Sequence, residues 1–186
     1  MVQRKRYELA LLTWICMGSF FAVRSAARFE TGLQSAVAFA ISCSLFAVAW
    51  IDGHTMEIPD SLNGIILILG TVWIFLRGDI SWGATAAGFF VIAFPMFIMD
   101  RILPGSFGGG DIKLCAACGL MLGWQKILAA VLTALVLAVI WGAYLVMARK
   151  KRGTDCFALG PFLVLGILLY FFAGDELTGV LHPAII

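Results

Sequence analysis

Apolar runs separated by short polar stretches recur along the whole chain, at Tyr7 to Val23, Gly32 to Ile51, Ser61 to Leu76, Trp82 to Met99, Ile127 to Met147 and Phe157 to Ala173. A hydrocarbon core of about 30 Å takes roughly 20 such residues per helix, so these six runs are predicted to be transmembrane helices. A shorter run, Ile112 to Trp124, makes a seventh. At about 1.5 Å per residue it covers only about 20 Å, so it starts below the headgroups, tilts little, or has its entry loop sunk inside protein. No repeat or low-complexity tract interrupts the pattern. The predicted fold is all-α: one polytopic membrane domain over residues 1–186 with about seven helices. Residues 1–31 form an amino-terminal anchor helix and external loop, and residues 32–173 the core of the bundle.

Composition strengthens this reading. Of the 186 residues, 62% are hydrophobic and 13% charged, too little polar surface to cover a water-soluble globule. Thirteen Lys and Arg against 11 Asp and Glu leave a formal charge of only +2, which argues against a nucleic-acid footprint. The expected surroundings are therefore a lipid bilayer.

With the amino terminus placed in the cytoplasm, Arg4, Lys5, Arg6, Arg101, Lys113, Arg149, Lys150, Lys151 and Arg152 fall inside, and Arg24, Arg28, Arg77 and Lys126 outside. This bias requires the short seventh segment to cross. Alternatively, Arg4-Lys5-Arg6 and the apolar run after it form a signal peptide cleaved after Ser25-Ala26-Ala27, which leaves the topology of the remainder unchanged.

Most acids, among them Glu8, Asp79, Asp155, Asp175 and Glu176, sit at helix ends or in short loops, as solvated charges do. Asp52 and Asp111 differ. Asp52 ends the second span in Trp50-Ile51-Asp52-Gly53, and Asp111 opens the short helix after Gly108-Gly109-Gly110, both at the cytoplasmic face. An ionisable group at membrane depth costs about 2.5–3.5 kcal/mol or more, so it is a functional candidate by default. Two carboxylates converging there share one proton, which supplies one general base and one general acid, the chemistry of an aspartic protease. The same pair also suits a proton or cation pathway.

Gly105, Gly108, Gly109 and Gly110 permit backbone conformations closed to other residues and let a second chain approach. A phosphate loop is excluded, because Asp111 stands where the anion would sit. Cys115-Ala116-Ala117-Cys118 is read as core packing: Cys16, Cys43 and Cys156 belong to other spans, and no second pair of zinc ligands is near. At 100° per residue Cys115 and Cys118 share the face of Asp111, whereas Lys113 points away, toward the headgroups.

These residues resemble the prepilin peptidases, membrane-embedded aspartic proteases that remove the leader from type IV prepilins and pseudopilins. The first matching motif is Asp52 with Ile58-Pro59-Asp60. The second is Gly108-Gly109-Gly110-Asp111-Ile112-Lys113 running into a small-residue helix that ends Gly123-Trp124, and the third, weaker one is Gly160-Pro161-Phe162. Together they span about residues 40 to 170. The link Arg24 to Thr31 contains no cysteine, whereas many members carry there a loop with two Cys-x-x-Cys pairs and methylate the new amino terminus. The chain is thus expected to be a peptidase-only form.

The resemblance implies an endopeptidase in the cytoplasmic membrane, with its active site at the cytoplasmic face and a prepilin or pseudopilin precursor as substrate. Asp52 and Asp111 are its expected catalytic pair. Gly108, Gly109, Gly110, Lys113, Glu57, Pro59 and Asp60 are expected to shape the loops or bind substrate, and no metal or other cofactor is expected. Glu57, Asp60 and Asp100 either attract a basic leader or are solvated loop acids, with Asp60 capping a helix that starts at Ser61. The alternative is a small proton- or cation-coupled transporter using the same aspartates.

Overall fold

A computed structural model describes residues 29, 31–78, 81–147 and 158–185. Its elements are helices α1 (Gly32–Thr55), α2 (Asp60–Arg77), α3 (Trp82–Ile102), α4 (Gly109–Leu122), α5 (Trp124–Met147) and α6 (Gly160–Ile185). The span expected at Tyr7 to Val23, the basic runs Arg4 to Arg6 and Arg149 to Arg152, and the candidate signal peptide lie outside the described residues. The other six helices fall on the predicted runs, but α6 continues past Ala173 to Ile185, so Asp175 and Glu176 lie within a helix and not at its end or in a loop. Helices α1, α2, α3 and the segment Trp124–Leu145 of α5 are long and apolar enough to cross a membrane, and Gly160–Gly174 is a shorter apolar segment within α6. The chain is a multi-pass membrane protein.

Local chemistry sets the helix limits. Thr31 and Ser81 accept from Gln34 N–H and Ala84 N–H, capping α1 and α3. Ser42, Ser44, Thr71 and Thr133 donate their hydroxyls to the carbonyl four residues earlier, which satisfies them where lipid offers no partner. Helix α6 starts at Gly160, after the non-helical Ala158 and Leu159, because Pro161 is accommodated only within a first turn.

The short α4 lies at the centre of the bundle and packs against α2, α3, α5 and α6. Leu114 through Gly119 are all buried, so this helix is apolar on every side because protein surrounds it, and it has no need to span lipid by itself. Small residues let its neighbours close in. A Cβ added at Gly88 of α3 would run into the Gly119 carbonyl of α4, and one at Gly119 into the Gly88 carbonyl. Gly166 of α6 meets the Ala130 carbonyl of α5 in the same way. The core comprises Ile41, Leu45, Ile66, Leu114, Ile127 and Ile167 among others, while Phe75, Val139 and Ile140 face outward, as they do in lipid. At the end of the bundle where α1 begins and α2 ends, Phe29, Trp73 and Phe171 form an aromatic cluster.

Candidate functional site

The opposite end, where α1 gives way to α2 and α3 to α4, carries both candidate acids. Asp52 does not end its helix but lies in the last turn of α1, where its backbone carbonyl accepts from the Met56 N–H. Met56 turns the chain out of the helix in the left-handed region, with φ +57°, the only non-glycine positive φ among the described residues. For an L-residue this costs about 1–2 kcal/mol, held in place by the turn around it. Thr55 steadies that turn by donating its hydroxyl to Ile51 O at 2.9 Å and accepting from Glu57 N–H.

Asp52 is only 4% exposed, and its Oδ2 accepts a 2.8 Å hydrogen bond from the Gly160 N–H at the start of α6. Asp111 lies in the first turn of α4, beside the backbone amide of Gly108, and its Oδ1 is buried without a hydrogen-bond partner. The two carboxylates are close enough to repel each other electrostatically. Both line one open cavity of about 380 Å³. Met56, Glu57, Ile58 and Asp60 form its wall on one side and Gly108, Gly109 and Gly110 the wall on the other.

The glycine segment contributes closeness more than unusual dihedrals. Of the four glycines only Gly105 has a positive φ, +84°, while Gly109 and Gly110 are already helical. A Cβ at Gly110 would stand 2.7 Å from Ile58 Cβ, and one at Gly108 would stand 3.2 Å from Asp111 Oδ2. The Gly110 carbonyl accepts from Asn63 Nδ2 at 3.2 Å, so a buried amide on α2 ties down the segment that delivers Asp111. In the sequence Asn63 is marked only as an amide near the start of an apolar run.

For Lys113, Asp60 and Asp100 the structure supplies partners that the sequence does not show, and it corrects one expectation. Lys113 is exposed, and its ammonium reaches both carboxylate oxygens of Asp60 at 2.7 Å. Asp60 therefore does not cap its helix: α2 begins at Asp60 itself, and Pro59 occupies the cap position without a side-chain bond and outside the cavity wall. Asp100 accepts from the Gly105 N–H, so it shapes the turn between α3 and α4. Cys115 and Cys118 are fully buried in the core, with Cys115 close enough to Asp111 to feel its charge, and neither lines the cavity.

The Lys113–Asp60 pair is largely exposed, at 56% and 72% of its side chains. Such pairs contribute about 0–1 kcal/mol, so Lys113→Gln is expected to leave the melting temperature within a few degrees of wild type. A drop of more than about 8 °C would mean that the pair clamps α2 to α4.

Among the described residues, no three or more His, Cys, Asp or Glu side chains are grouped to hold a metal ion. What the cavity offers is a pair of interacting carboxylates on different helices with space for a peptide and water beside them.

Relatives with known names share this arrangement of sequence. The prepilin leader peptidase/N-methyltransferase of Aeromonas hydrophila is 26% identical over 178 residues, covering 93% of this chain and 60% of that protein. The protein of the same name from Bacillus subtilis (strain 168) is 29% identical over 175 residues, covering 92% of this chain and 67% of its own length. The one from Xanthomonas campestris pv. campestris is 28% identical over 166 residues, covering 86% and 58%. The chain therefore spans about 60% of the length of relatives such as that of Aeromonas hydrophila. No solved structure matches it. Residues 39–143, which include both aspartates, the Ile58-Pro59-Asp60 turn and the whole of α4, match the type IV leader peptidase family, and the chain belongs to that family.

Proposed function

We propose that the chain is a membrane-embedded aspartic endopeptidase that removes a short basic leader from prepilin or pseudopilin-like precursors at the cytoplasmic face of the cytoplasmic membrane. The observation that carries this reading is the convergence of Asp52 and Asp111, from two helices, on one open cavity at the end of the bundle. A precursor whose apolar helix lies in the bilayer presents the junction with its leader at this depth.

Two like charges this close favour holding a single proton between them. The ionised member takes a proton from a water bound between the carboxylates, and the water oxygen attacks the scissile carbonyl. The protonated member donates to the carbonyl oxygen; as the resulting diol collapses and the C–N bond breaks, the proton taken from water passes to the leaving amine and a diol hydroxyl returns its proton to the carboxylate that donated first. The rim carries the exposed Glu57 beside Asp60, which is paired with Lys113, and the uncompensated acid favours a leader rich in Lys and Arg. Only the peptidase half of the relatives' printed name is extended to this chain, because its single Cys-x-x-Cys pair is buried inside α4.

Incubating the detergent-solubilised protein with a peptide that joins a basic leader to an apolar helix is expected to give two shorter products. A strong chelator should leave the rate unchanged. Intact peptide after prolonged incubation, or a chelator-induced loss restored by added metal, would overturn the assignment.

A further inference from the structure

The backbone donors at the start of α6 are shared out unequally. The Leu159 carbonyl accepts from the Phe162 N–H at 3.0 Å and the Leu163 N–H at 3.1 Å, so Leu159 is the last residue outside the helix. Pro161 has no N–H to give. That leaves Gly160 as the first-turn donor without a partner inside the helix, and it reaches 108 residues back along the chain to Asp52 Oδ2, in a buried bond of 2.8 Å. Asp52 thus caps α6 from another helix, with its carboxylate at the end where the peptide dipoles of α6 favour an anion.

Sterics make the same position specific. A Cβ at residue 160 would stand 2.5 Å from Asp52 Oδ2, 2.8 Å from its Cγ and 3.0 Å from its Cβ, so the amide reaches the carboxylate only because no side chain intervenes. The partner acid is held differently, with one oxygen beside Gly108 and the other buried without a donor.

We propose that Gly160 is a positioning residue for the peptidase reaction: its N–H and its missing side chain fix the rotamer of Asp52, leaving Oδ1 as the oxygen that works on water. The inference rests on the reading of Asp52 as one of the two catalytic acids. The charged groups facing Asp52 among the described residues are Asp111 from α4, with Glu57 and Asp60 on the cavity rim and Lys113 bound to Asp60. Between Gly160 and Gly174, α6 contributes no charged side chain.

The test uses the full chain in detergent and the leader-bearing peptide, with pH–rate profiles of wild type, Gly160→Ala, Gly160→Pro, Pro161→Ala and Asp52→Asn. Gly160→Ala is expected to lower kcat by about 10²-fold, the scale of a displaced catalytic group, with KM within about twofold of wild type. Gly160→Pro, at a helix position that accepts proline, also removes the donor and is expected to move the acid limb of the profile up by about one pH unit. Pro161→Ala keeps the Gly160 N–H and should keep the wild-type profile.

Folding is followed separately by melting temperature in a cycle with Asp52→Ala. The clash lies with the Asp52 side chain, so Asp52→Ala should recover most of the stability lost in Gly160→Ala. Near-wild-type kcat with an unmoved acid limb in both Gly160 variants would overturn the proposal, as would simple additivity of the two stability losses. If Asp52→Asn itself cleaves normally, the fault lies in the reading of the acid pair. An inactive Asp52→Asn beside a fully active Gly160→Ala refutes the positioning role alone.

Discussion

Asp52→Asn and Asp111→Asn are each expected to lower peptide cleavage by about 10²–10⁴-fold or more, while the protein still inserts and accumulates. An amide neither takes nor gives a proton at neutral pH, so each substitution removes one end of the proposed proton relay. The fold has reason to tolerate both. In Asp52→Asn the new side-chain carbonyl can still accept from the Gly160 N–H, and at Asp111 one carboxylate oxygen already lacks a hydrogen-bond partner. Loss of charge at this depth also relieves the repulsion between the two acids. Measured by product formation at matched amounts of monodisperse protein, near-normal turnover by either variant would remove that residue from the mechanism.

Adding one methyl group at the crossing of α3 and α4 is expected to damage the fold itself. Gly88→Ala and Gly119→Ala each drive a Cβ into a backbone carbonyl of the facing helix, where no flexible side chain can swing aside. Overpacking a core ordinarily costs about 1–3 kcal/mol, and a backbone obstacle puts these two at the top of that range or above it. Because α4 carries Asp111, forcing the helices apart also shifts the acid. Gly64→Ala in α2 is the matched control: nothing lies within 4 Å of its added Cβ, so the change should be neutral or stabilise by up to about 1 kcal/mol through better helix propensity. Melting temperatures in detergent decide the matter. Equal stability of Gly88→Ala, Gly119→Ala and Gly64→Ala would contradict the close crossing.

Much of this architecture is visible in the residue pattern, because a lipid-embedded helix must be apolar over nearly its whole length and its polar breaks mark the turns. Helix α1 runs past its predicted end at Ile51 to Thr55, since Asp52, Gly53 and His54 continue a helix that hydropathy alone closes. Helix α4 began earlier than its apolar run, at Gly109, because packing against Ile58 outweighs the low helix propensity of two glycines. The two acids stood out for a physical reason: a carboxylate is costly at that depth. What the pattern did not reveal are contacts made by groups far apart in sequence. Lys113 finds Asp60 across 53 residues, and Asn63 finds the Gly110 carbonyl across 47. Gly160 was visible as part of a short motif, but only the packing of α6 on α1 shows that its amide serves Asp52.

The central claim is that Asp52 and Asp111 act as one device, and a kinetic double-mutant cycle tests it most directly. Cleavage of the leader-bearing peptide is followed by mass spectrometry, with enzyme in excess, for wild type, Asp52→Asn, Asp111→Asn and the double variant. Groups that act as a unit are grossly non-additive, so the double variant should be about as slow as the slower single variant. Losses that multiply, or a single variant that cleaves at near the wild-type rate, would contradict a shared-proton pair.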